Sequence, residues 1–92
     1  MKLKVYEVGV NHYNGGVIDC EWSLLYADYP VAVKEFKSLI KEAKNTDWVK
    51  EGLKSGDKKY ILRSTVDYWS FHVDNIPEYK SYEVYIKERE VF

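Results

Sequence analysis

Between residues 18 and 26 apolar and polar side chains alternate: Ile18, Cys20, Trp22, Leu24 and Tyr26 share one parity, while Asp19, Glu21 and Ser23 take the other. A period of two marks a strand with one covered and one wet face. The preceding "KLKVYEVGV" is rich in β-branched residues, and Asn14-Gly15 in "NHYNGG" tolerates the positive φ of a tight turn. The first 27 residues are therefore expected to form a β-hairpin. After Tyr26 the period changes. Ala32, Phe36, Leu39, Ile40 and Ala43 recur at helical spacing, with Lys34, Glu35, Lys37, Lys41 and Glu42 on the other side. Asp28 stands where an N-cap belongs, and Pro30 falls in the first turn, where its missing N–H costs nothing.

The second half is read in the same way. Thr46 to Lys54 fits a short second helix, Gly56-Asp57 a turn, and Lys59 to about Val73 one long strand. A turn around Pro77 leads to a last strand from about Ser81 to Arg89, with Tyr82, Val84 and Ile86 on one face and Glu83, Tyr85 and Lys87 on the other. The order β-β-α-β-β predicts one α+β domain over residues 1–92. Its antiparallel sheet has about four strands, and one main amphipathic helix packs on one face. Helix-facing candidates are Leu3, Val5, Ile18, Trp22, Leu24, Phe36, Leu39, Ile40, Leu62, Val84 and Ile86.

Two strands break their own alternation. Leu3 and Val5 oppose Val8 and Val10 in parity, with Gly9 near the switch; Tyr60, Leu62 and Val66 likewise oppose Trp69, Phe71 and Val73. A β-bulge moves the apolar side by one position, whereas an unbroken strand is apolar on both faces. In "VDYWSFHVD" the first option buries Trp69 and Phe71 and leaves Tyr68, Ser70 and His72 open. The second reverses the assignment.

Composition narrows the function classes. The chain is 46% hydrophobic and 32% charged, the balance of a folded domain, and at 92 residues it holds one modest core. Its net charge of −1, with basic and acidic residues interleaved and twelve of the fourteen basic residues lysine, argues against a nucleic-acid partner. Cys20 is the single cysteine, so no intrachain disulfide forms. The first residues lack the apolar core of a signal peptide, and no run approaches the roughly 20 apolar residues of a membrane helix. A soluble, cytoplasmic protein is expected.

Candidate chemistry is sparse. His72 and Asp74 share a strand face without the paired spacing of a metal site, so no metal and no cofactor are expected. Ser70 and His72 also share a face but lack a third orienting group, and Cys20 sits among apolar positions, where a thiol stays protonated. Asp19 and Glu21 read as a solvated strand face, and "NGG" lacks the lysine and the strand-to-helix setting of a phosphate loop.

The aromatic content, 16% with nine Tyr and three Trp, exceeds what one helix on one sheet needs. Tyr6, Tyr13, Tyr79 and Tyr85, with Tyr68 or Trp69, are left without a core role. Tyrosine and tryptophan suit interfaces, because an apolar ring carries a polar tip. The candidate surface is Tyr68, Trp69, His72, Tyr85, Tyr13 and His12, the last two beside the hairpin turn. Small size with lysine- and tyrosine-rich composition resembles accessory proteins of AT-rich bacteria and their phages. That resemblance implies a non-enzymatic inhibitor that docks on a larger host protein. The alternative is a homo-oligomer holding a small ligand such as a nucleotide between subunits, stacked on aromatic rings and anchored by Lys59, Arg63 or Arg89.

Overall fold

A computed structural model describes residues 3–15, 17–75 and 78–91. The order is β1 (Leu3–Asn14), β2 (Val17–Tyr26), α1 (Tyr29–Lys44), α2 (Asp47–Ser55), β3 (Tyr60–Ser64), β4 (Tyr68–Asn75) and β5 (Glu78–Val91). The five strands form one antiparallel sheet in the order β2-β1-β5-β4-β3. The α+β class holds, with five strands where about four were expected. The turn expected at Pro77 lies outside the described residues.

The extra strand comes from the long stretch 59–73. It is a hairpin, not one bulged strand. Thr65 and Asp67 close the turn: the Thr65 hydroxyl donates to Asp67 Oδ1 at 2.9 Å, and the Thr65 N–H donates to the Tyr68 carbonyl at 2.7 Å. The change of parity is therefore a change of strand. Trp69, Phe71 and Val73 face the helices, and Tyr68, Ser70 and His72 face away. In β1 the two parities are the two faces of one continuous strand, with Val8 and Val10 beneath the helices. Leu3 and Val5, expected in the core, do not belong to it; Leu3 is 61% exposed.

Ala32, Phe36, Leu39 and Ala43 bury one stripe of α1 against Val8, Val10, Val84 and Ile86 of the two central strands. Asp28 occupies the N-cap position, though its side chain makes no cap hydrogen bond, and Lys41 and Lys44 complement the dipole in the last turn. Behind α1, α2 lies close to β4. Gly52 permits that approach, since a Cβ there would stand 2.7 Å from the Phe71 ring and 2.8 Å from the Tyr60 ring. The largest fully buried side chain is Trp69.

β2 corrects a second expectation. It is an edge strand, and α1 packs mainly over β1 and β5. Trp22 and Leu24, expected to be covered, are exposed at 37% and 53%. The β1–β2 register slips between His12 and Tyr13: His12 pairs with Cys20 and Tyr13 with Ile18. That extra residue carries Ile18 to the face opposite Cys20 and Trp22. Leu62, also expected in the core, sits exposed on the other edge strand.

Trp69→Ala should cost about 3–5 kcal/mol in denaturant unfolding, since it empties a fully enclosed aromatic site. Leu62→Ala, on the half-exposed edge, should cost under about 1.5 kcal/mol. Equal losses would contradict this assignment of faces.

Candidate functional site on the open sheet face

The face of the sheet away from the helices carries Val5, Glu7, Gly9, Asn11 and Tyr13 from β1, and Tyr79, Ser81, Glu83, Tyr85, Lys87 and Arg89 from β5. β4 adds Tyr68, Ser70 and His72, and β3 adds Ile61 and Arg63. Cross-strand pairs set these side chains in rows. Gly9, Tyr85 and Tyr68 form one row, Asn11, Glu83, Ser70 and Arg63 the next, and Tyr13, Ser81, His72 and Ile61 the third.

Two hydrogen-bonded groups hold the face rigid. Tyr85 lays its ring over Gly9, where a Cβ would come within 2.3 Å of the ring. An aromatic ring thus fills the space a cross-strand glycine leaves. From that position the Tyr85 hydroxyl donates to Glu7 Oε2 at 2.8 Å, Arg89 Nε donates to Glu7 Oε1 at 2.7 Å, and Lys87 Nζ stands 4.9 Å from the Tyr85 ring centre. In the second group the Tyr68 hydroxyl donates to Glu83 Oε2 at 2.6 Å.

The electrostatics follow from these bonds. The Tyr85 hydroxyl, then Arg89, hold the Glu7 carboxyl below its ordinary range, outweighing the opposing effect of burial. Burial of the ring, reinforced by the carboxylate each hydroxyl faces, pushes the Tyr85 and Tyr68 phenols up.

Beside these groups lies a polar depression of about 350 Å³, lined by Arg63, Tyr68, Ser70, His72, Tyr79, Ser81 and Glu83. It exists because two adjacent strands place small residues at its floor: Ser70 and Ser81 are buried, while the long side chains of Tyr68, Tyr79, Arg63 and Glu83 rise around them. Arg63 makes no ion pair among the described residues. The guanidinium is thus available to an incoming anion.

Of the surface predicted from sequence, Tyr68, His72, Tyr85 and Tyr13 share this face. Trp69 and His12 do not. Trp69 is 1% exposed, in the core. His12, expected on the binding surface, is 7% exposed on the helix side of strand β1. There the Trp48 indole N–H donates to His12 Nε2 at 2.9 Å, and Tyr82 stacks on the imidazole at 4.5 Å between centres. An indole N–H can only donate, so this nitrogen carries no proton.

The three candidate anchors do not converge. Arg63 borders the depression, and Arg89 is engaged by Glu7 three rows away. Lys59 lies against Tyr60, 5.4 Å from the ring centre, at the start of β3. Tyr6, which had no assigned role, packs against the core and meets Tyr29 edge-on at 5.0 Å. Sequence reading named Tyr79 as a tyrosine without a core role and left Ser70 open in one of its two options, but did not bring either into a site with Ser81 and Glu83. Their signal, two serines set diagonally on neighbouring strands, with Ser70 opposite Glu83 and Ser81 opposite His72, appears only once β4 is paired with β5. Among the described residues no three His, Cys, Asp or Glu side chains group to hold a metal ion.

Comparison with protein-family models, with characterised proteins and with solved structures yields no match to this chain.

Stability should respond to Glu7. Its carboxyl titrates lower in the folded chain than in the unfolded one, where the ordinary value near 4.5 applies. The unfolded chain therefore takes up the proton first, and the contribution, complete above that value, is lost as pH falls through the lowered one. Glu7→Gln should flatten the acid limb of a stability–pH curve; an unchanged limb would refute this role. On the alkaline side, the Tyr68→Phe/Tyr85→Phe variant should lose absorbance change from the late part of an ultraviolet titration; an unaltered late part would refute the shift.

Proposed function

We propose that the protein is a non-enzymatic binding module that docks on a larger protein through the open face of its sheet. The depression receives a carboxylate-bearing side chain of the partner. The observation that carries this reading is the pairing of an uncommitted guanidinium, Arg63, with a serine floor and an aromatic rim in one preorganised concavity. A planar guanidinium binds a carboxylate through two parallel hydrogen bonds. Tyr68 and Tyr79 supply ring area around it at little cost in side-chain entropy. Tyr68 is already held by Glu83, so less freedom is lost on binding.

Binding without catalysis is supported by the spacing of the polar groups. Ser70 and His72 lie two apart on one strand, roughly 6.6 Å along its axis, and their side chains project in parallel. A base must approach its nucleophile to about 2.6–3.2 Å. In our reading the inhibitor role implied by composition is exerted through this face, in the cytoplasm, the compartment that suits a lone unpaired thiol. No helix among the described residues is long and apolar enough to cross a membrane.

A second reading rests on the volume of the depression, about 350 Å³, which matches a small anionic ligand. The two are separated by experiment. A photo-crosslinking side chain in place of Tyr79 should label a partner at an acidic segment, and Arg63→Glu should abolish labelling while circular dichroism is unchanged. Labelling that survives Arg63→Glu would refute the docking reading. Thermal stabilisation of the wild type, but not of Arg63→Glu, by a small carboxylate or nucleotide would favour the second.

A further inference from the structure

We propose that β2 is a self-pairing edge, through which two copies of the chain join their sheets into one of ten strands. The strand runs ten residues, "VIDCEWSLLY", and contains no lysine and no proline. Lysine and proline are chief among the residues that natural edge strands use to prevent pairing, and the bulge of this strand lies between Ile18 and Cys20, outside residues 20–26 that the pairing uses. Trp22, Leu24 and Leu25 are exposed along it, Leu25 at 62%.

The free hydrogen-bonding groups can be assigned. The Ile86 N–H donates to the Asp67 carbonyl at 2.8 Å, on the side of β5 away from β1. Opposite pairs in an antiparallel ladder alternate between bonded and non-bonded. The pair Ile86 with Val8 is therefore non-bonded, and Val8 turns its N–H and C=O to Leu24 of β2. Leu24 and Trp22 thus spend their backbone groups on β1, and Glu21, Ser23 and Leu25 present theirs to the free edge.

The side-chain pattern selects a second copy as the occupant. About Ser23 the strand is symmetric on its helix side: Trp22 and Leu24 flank it. A two-fold axis through Ser23, perpendicular to the sheet, opposes Ser23 to itself, Glu21 to Leu25 and Trp22 to Leu24. The outward-facing groups then meet as bonded pairs. Trp22 and Leu24 of both copies gather into one apolar cluster, and Glu21 does not face its counterpart. Such an interface is self-complementary and closes at two. Pairing of β2 with the other edge strand, β3, would instead be open-ended; β3 offers only five residues, one of them Arg63. The two-fold also keeps both open faces on the same side.

Sedimentation velocity across a wide concentration range should give a dimer. Ser23→Pro removes an outward N–H and the hydroxyl that meets Tyr85, so with Ser23→Ala as the control for the hydroxyl the fold should persist while the dimer dissociation constant of Ser23→Pro rises at least tenfold, about 1.4 kcal/mol. Leu24→Lys, which places a charge in the seam, should do the same. In a Cys20→Ser background, Ser23→Cys should be joined into a covalent dimer by a short bis-thiol reagent, because opposed bonded pairs sit about 5.5 Å apart between Cα atoms, within the span of such a bridge. A monomer at every concentration, a dimer indifferent to both edge substitutions, an introduced thiol that does not cross-link, or growth into filaments would each overturn the proposal.

Discussion

The pairing of the first strand with the last governs this domain. β1 and β5 run antiparallel along twelve consecutive positions, Leu3 with Val91 through Asn14 with Lys80. Two chain ends thus become the centre of the sheet, and everything between them must fold outward. β2 leaves from one side, β3 and β4 return on the other, and both helices cross one face between the two edges. Because Val8, Val10, Val84 and Ile86 stand side by side only through this pairing, the core beneath α1 forms when the ends meet. Contacts so distant in sequence carry a loop-closure cost that local hairpins do not.

The same pairing builds the open face. It opposes Gly9 to Tyr85 and so gives the tyrosine ring a place to lie flat, from which its hydroxyl reaches Glu7. Glu7 in turn holds Arg89, and the charged end of the face is tied down across β1 and β5. The neighbouring β4–β5 register opposes Ser81 to His72 and Glu83 to Ser70, which produces the concavity. Stability and the candidate site therefore share Tyr68, which Glu83 holds and which borders the depression, while Tyr85 locks the face beside it.

Coverage is the complementary constraint. Helices of sixteen and nine residues bury the middle of a five-stranded sheet and leave its margins open. That shortage exposes Trp22 and Leu24 on one edge and Leu62 on the other. On β2 the open apolar face coincides with a row of backbone groups that β1 does not use.

Much was legible from residue order alone. Periods of two and 3.6 located both helices, the first hairpin and the last strand, because local backbone geometry imposes those periods on any chain with a face to bury. Composition showed more tyrosine than one helix on one sheet needs. Three decisions belonged to the tertiary structure. The hairpin turn at Thr65–Asp67 was hidden, since it has neither glycine nor proline and is closed by side-chain hydrogen bonds. The burial of His12 depends on Trp48, thirty-six residues away, supplying an N–H to its ring. The division of Tyr68 from Trp69 depends on which face α1 and α2 cover, and an alternating pattern names two faces without saying which one the helices will choose.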